Sequence, residues 1–193
     1  MSRALKSLAI FFAFVAIYTL SRHVVSPSST TTSVTSSTIV STTSLGATAC
    51  QGSDFSGVFN QGQGAAGTIN ASITLTKTST GTCSIMGWPL LTLQDRTGAV
   101  LPSSTVNLPS VNSQVGFPDP RANRSPSSLT LKRGAATTFS LAYSDVPSGS
   151  ETSCPSATTL SVEVRKGGNT VTVTPEYPLT PCSAGTVWVS PFY

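Results

Sequence analysis

The sequence predicts an all-β molecule: an antiparallel β-sandwich head behind an N-terminal hydrophobic helix. Three observations carry that prediction. From Ala49 onward short segments alternate apolar and polar residues, Gly, Pro and Ser punctuate them evenly, and no window holds a helical stripe. Strands this short and this regularly interrupted make a two-sheet antiparallel sandwich of roughly seven to nine strands.

In chain order, residues 1–25 come first. Arg3 and Lys6 precede a nearly unbroken apolar run, Leu8 to Leu20, that ends at Ser21-Arg22-His23. Positive charge before a hydrophobic stretch is an export signal, with the charged end held in the cytoplasm. Counted from Ser7 to Val25, the segment reaches about the minimum length for spanning a bilayer. Thr19-Leu20-Ser21 is the best cleavage site and a weak one. The preferred reading is a retained single-pass anchor; secretion after signal cleavage is the alternative. Either places the head outside the cytoplasm.

Residues 26–48 form a Ser/Thr-rich stretch, 16 of 23 positions, with Pro27 near its start. It has too few large apolar side chains to offset the entropy of ordering. Such tracts act as disordered stalks, often O-glycosylated.

Residues 49–193 are the head. Ile69, Ala71, Ile73 and Leu75 alternate with Asn70, Ser72, Thr74 and Thr76, the period of a strand with one buried face. Leu90–Leu93, Leu129–Leu131, Phe139–Tyr143, Leu160–Val164, Val171–Val173 and Val187–Val189 read the same way. Cys50, Cys83, Cys154 and Cys182 read as disulfides in an exported chain, with three pairings open. Cys50–Cys83 with Cys154–Cys182 is preferred, because each closes a loop of about 30 residues around neighbouring strands. Each loop would contribute roughly 3–4 kcal/mol on the chain-entropy model.

Charge excludes one broad class of partner. The 193 residues carry 11 Lys and Arg against 7 Asp and Glu, a formal +4, and only 9% are charged. Arg3, Lys6 and Arg22 lie in the first segment, so the head holds eight basic against seven acidic side chains. Nucleic-acid binding needs a dense basic face, and none is available. No cofactor and no metal site is expected: there is no Cys-x-x-Cys, and the single His, His23, lies beside the hydrophobic run.

Catalytic sets are thin. Without a His in the head, Ser-His-Asp and Cys-His arrangements are excluded there. Among the seven acids, Asp119 with Glu151 or Asp145 is the pair that would revive a carboxylate-based glycan hydrolase if both reached one pocket. Otherwise these acids read as turn or solvated face residues. Gly62-Gln-Gly64-Ala-Ala-Gly67 matches the dinucleotide fingerprint letter for letter, but a strand rather than a helix follows it, so it reads as a turn. Leu45–Cys50 faintly matches a lipoprotein box yet lies beyond the stalk, which leaves Cys50 as a disulfide partner.

Asn70-Ala-Ser72 and Asn123-Arg-Ser125 are candidate N-glycosylation acceptors, and Asn70 is expected to face outward on its strand. The stretch Pro109–Ser127 holds four prolines with Phe117, Asp119, Arg121 and Arg124. A long irregular loop stiffened by proline is a candidate binding loop, presenting Phe117 and the arginines.

The order of these motifs resembles the domain-of-unknown-function 4232 family of exported prokaryotic envelope proteins. The matching residues are Cys50, Gly64-Ala65-Ala66-Gly67, and Thr82-Cys83-Ser84-Ile85-Met86-Gly87-Trp88-Pro89. They continue through Leu91, Leu93, Asp95, Gly98, Leu129, Leu131, Gly134, Ser153-Cys154-Pro155, Leu160, Val162, Pro181-Cys182 and Val187-x-Val189-Ser190-Pro191. The resemblance implies an immunoglobulin-like sandwich, two disulfides and attachment to the envelope. It implies no catalytic residues. This chain departs from many members in having a hydrophobic segment in place of a lipobox, and in the Pro109–Ser127 stretch. The functional expectation is therefore a non-enzymatic, surface-displayed head that binds an envelope protein or glycan. A structural envelope subunit is the alternative.

Overall fold

The computed structural model describes residues 47–109 and 115–193. The expected anchor (1–25), all but the last two residues of the expected stalk (26–48), and positions 110–114 of the proline-rich stretch lie outside the described residues. Among the described residues no helix is long and apolar enough to cross a membrane.

The head is mostly β. In chain order its strands are β1 (Thr48–Ala49), β2 (Phe55–Ala65), β3 (Thr68–Lys77), β4 (Cys83–Ile85), β5 (Leu90–Gln94) and β6 (Ser104–Asn107). The order continues with β7 (Leu129–Leu131), β8 (Ala136–Ser144), β9 (Thr159–Glu163), β10 (Thr170–Val173) and β11 (Thr186–Val189). Helical turns are short: Gly52–Asp54, Pro120–Asn123 and Cys182–Gly185. Every alternating segment read from the sequence holds a strand, and outside β8 the buried positions fall where the period puts them. In β3, Ala71, Ile73 and Leu75 are buried while Ser72, Thr74 and Thr76 are not.

Pairing differs from the expected two antiparallel sheets. The strands hydrogen-bond into three sheets, in the orders β2-β3-β8-β11-β6, β10-β9-β5 and β1-β4-β7. Two pairings, β11 with β6 and β1 with β4, are parallel. Alternation tells which face of a strand is buried; it carries no information on the neighbour or its direction. β6 and β1 also carry almost no alternation, so sequence pattern does not announce them.

The glycine motif needs a second correction. Gly62 and Gly64 lie inside β2, and only Ala66 and Gly67 turn, between the paired residues Ala65 and Thr68. Both turn residues are left-handed, φ 51° and 80°, as a two-residue hairpin joining twisted strands requires.

One face of the five-stranded sheet and one face of β10-β9-β5 contribute to a single apolar core. Ile73, Leu75, Phe139 and Leu141 meet Leu93, Leu160, Val162 and Val173 in it. Phe139 and Phe192 pack edge to face with centroids 5.6 Å apart. Both expected disulfides are formed, Cys50–Cys83 and Cys154–Cys182. Trp88 packs against this core and donates its indole N–H to the Leu108 carbonyl at 2.7 Å.

Lys77 ends β3 in a core-facing register and is only 2% exposed. Its ammonium stands 3.8 Å from Asp54 and bonds to the Ser79 carbonyl and hydroxyl. The Ser79 hydroxyl and the Gln51 N–H hold the Asp54 carboxyl below its ordinary range, helped by the Lys77 charge. A charge here is tolerated only because its partners come with it.

β8 is buried on both faces. Phe139, Leu141 and Tyr143 enter the main core. Ala142, on the opposite face, joins a second apolar cluster with Leu108, Phe117 and Ala122, against which Val115, Trp188 and Tyr193 pack.

Candidate binding cleft

That second cluster positions a cleft on the outer face of the five-stranded sheet. The proline-rich loop folds over the outer face of the sheet, with Phe117 and Ala122 as its apolar anchors. Asp119 caps the single turn Pro120–Asn123 by accepting the Arg121 N–H at 2.9 Å. The Asn123 amide clamps Phe117 from both sides, accepting its N–H at 2.9 Å and donating to its carbonyl at 2.8 Å. Arg121 forks onto the Asp119 carboxylate, the shortest contact 2.7 Å from Nη2, and lies 4.9 Å above the Tyr193 ring. This ion pair is the main reason the Asp119 carboxyl sits below its ordinary range.

Tyr193 is held by its backbone. Its N–H and carbonyl pair with Thr138 at 2.9 Å each, and its hydroxyl meets the Ser140 hydroxyl at 2.9 Å. Burial raises the phenol above its ordinary value.

The opposite wall comes from β2 and β3. The β2–β3 register shifts between Asn60 and Gln63, a bulge that bends the strand. A Cβ at Gly62 would lie 2.0 Å from the Asn70 carbonyl, so only glycine lets the bulge close onto β3. Gln61 and Gln63 flank that glycine and line the cleft.

The open cleft holds about 450 Å³. It is lined by Gln61 and Gln63 of β2, Asn70 and Ser72 of β3, Ser140 beside Ser72 on β8, and Pro118, Asp119 and Tyr193. The Asn70 Oδ1 is buried behind this lining with no hydrogen-bond partner. Chemically the cleft offers amides and hydroxyls that donate and accept. It also offers one aromatic ring, and one carboxylate whose lone pairs are already engaged.

The sequence-selected residues divide. Asp119 lines the cleft, Arg121 braces it, and Arg124 is exposed beyond the helical turn. Phe117 does not project: it is 5% exposed and serves as the loop's apolar anchor, because a large ring over an uncovered sheet face gains more by burial than by display. Asn70 does face away from the main core, as expected, but the loop overhangs it and its Oδ1 has no solvent contact. Asn123 carries an exposed backbone position, yet its amide nitrogen is committed to the Phe117 and Asp119 carbonyls.

The carboxylates are not gathered. Among the described residues lining the cleft Asp119 is the one acid; neither Glu151 nor Asp145 is there. Glu151 instead accepts the N–H groups of Ser183 and Ala184 at 2.8 and 2.9 Å. Those residues and Gly185 are left-handed, φ 55°, 56° and 75°, forming a concave turn of backbone donors. These bonds hold the Glu151 carboxyl below its ordinary range. Glu151 also lies within 4.8 Å of the Cys154 and Cys182 sulfurs, which are bonded to each other and so offer no thiolate. Asp95 makes the expected turn, accepting from Thr97 at 2.8 Å and Ala99 at 3.0 Å.

Gln61, Gln63, Ser140 and Tyr193 were not singled out by sequence. Two glutamines alternating with glycines inside a strand-length run are the one local sign of a polar, bulged edge. Tyr193 gave none.

No curated protein and no solved structure matches the chain significantly. The model of the family described as domain of unknown function (DUF4232) matches residues 50–193, which takes in both disulfides, every strand after β1 and both walls of the cleft; the chain belongs to that family.

Proposed function

We propose that the protein is a membrane-anchored, surface-displayed recognition module. Its head is a non-enzymatic, immunoglobulin-like β-sandwich held outside the cytoplasm on the Ser/Thr-rich stalk. It binds another envelope component in the cleft between the β2–β3 hairpin and the proline-rich loop. The shared core between the five-stranded sheet and β10-β9-β5 supports the sandwich reading. The apolar run after Arg3 and Lys6 supports the anchor.

One observation carries the binding reading. Amides of Gln61 and Gln63, hydroxyls of Ser72 and Ser140, and the braced Asp119–Arg121–Tyr193 set converge on one cleft.

Crosslinking on intact cells, with the head tagged at its C-terminus, tests it. The matched variant is Gln61→Ala with Gln63→Ala, two exposed positions that leave the apolar clusters intact. One saturable partner that disappears in the variant is the expected result. A broad spread of neighbours, unchanged in the variant, would instead mean a structural envelope subunit.

A further inference from the structure

We infer that the cleft's ligand is a neutral oligosaccharide, a ligand class that rests on the binding reading above. The chemistry of the walls selects it. Gln61, Gln63 and Asn70 present amides, and Ser72, Ser140 and Tyr193 present hydroxyls. Each both donates and accepts, as does every sugar hydroxyl.

Charge argues against anionic ligands. Arg121 does not line the cleft, and its Nε and Nη2 bond to Asp119 while its guanidinium lies over the Tyr193 ring. Glu176 reaches the Gln61 amide at 3.5 Å, which adds a negative group at the rim. A phosphate or sulfate would find no free cation among the described lining residues. Pro118, Ala65 and Ala71 beside the Tyr193 ring give the lining its apolar part, against which the C–H face of a sugar would pack. About 450 Å³ lies within the range of small-ligand sites.

The test titrates the full chain in detergent micelles with cellotetraose, chitotetraose and mannotetraose. A heparin-derived tetrasaccharide is the anionic counterpart, and the glutamine side-chain amide resonances are the readout. At least one neutral tetrasaccharide is expected to saturate while shifting the Gln61 and Gln63 amides. Its Kd should rise about fivefold in Gln61→Ala with Gln63→Ala, and by a similar factor in Tyr193→Phe, each the loss of roughly one hydrogen bond. Tyr193→Phe keeps the ring and so keeps the packing. Equal or tighter binding of the anionic sugar overturns the inference, as does neutral binding that both variants leave unchanged. If no sugar binds but the cell-surface crosslink is still lost in the glutamine variant, the ligand class is wrong and the recognition reading stands. If both are negative, both fall.

Discussion

The two apolar clusters of the head are built by different rules. The main core is assembled from alternate residues of regular strands, with β3, β8, β5 and β9 supplying ladders of Ile, Leu, Val and Phe. The second cluster covers the opposite face of the same central strand with side chains from an irregular loop, Phe117 and Ala122. In the first, hydrogen bonding between strands fixes the geometry and the side chains fill it. In the second, polar clamps do that work: Asn123 on Phe117, Asp119 on the helical turn, Arg121 on Asp119 and Tyr193. The difference teaches where a cleft is built. A ladder leaves no space for a ligand, whereas a clamped loop laid beside a bulged strand leaves a cleft at its edge.

The contrast is sharpest in truncation of the two phenylalanines. Phe139→Ala is expected to destabilise the head by about 3–5 kcal/mol, because its ladder neighbours cannot collapse into the cavity. Phe117→Ala should cost about 2 kcal/mol, nearer the transfer term alone, because a loop can settle into the vacated space. Urea unfolding followed by tryptophan fluorescence measures both. Equal losses would mean that the loop is as integral to the fold as the strands.

Removing a clamp should act locally. Asn123→Ala is expected to cost about 1 kcal/mol of global stability while speeding tryptic cleavage after Arg121 and Arg124. Cleavage at the wild-type rate would show that Phe117 burial alone holds the loop.

Acid gives the smallest and most distributed effect. Asp54, Asp119 and Glu151 each have a folded pKa below the ordinary carboxylate value, so the folded state binds protons less readily than the unfolded chain. Their stabilisation is complete above about pH 5 and declines as pH falls through 4 and below. A thermal melt series from pH 7 to pH 3 should be flat at first and then fall. Asp119→Asn should shorten the fall slightly while leaving the Asp54 and Glu151 contributions in place. A midpoint that rises on acidification contradicts all three assignments.

Much of the main core was legible because one residue in two is apolar wherever one strand face is buried. Ile73 and Leu75, Leu160 and Val162, and Val187 and Val189 could be read inward without coordinates. The disulfides were legible too, since four widely spaced cysteines without a metal-ligand spacing read as two pairs and the shorter loops bring neighbours together. The cleft was not. Asp119 and Arg121 were visible as a charged pair in a proline-rich stretch, but nothing local says that Phe117 turns under rather than out. Tyr193 stands 72 residues beyond Arg121 in sequence, and only the pairing of its backbone with Thr138 brings its ring beneath that guanidinium.

Periodicity, composition and cysteine count by themselves determined a β-rich, disulfide-bonded head and which residues of its regular strands lie inside. They act through neighbours one or two positions away, and so they are written in the order of the residues. Tertiary structure alone decided the three-sheet pairing, the two parallel contacts, the burial of Phe117 and the meeting of Gln61, Asp119 and Tyr193 around one cleft. Those depend on which distant surfaces remain uncovered once the strands have packed, a property of the assembled molecule and of no single segment.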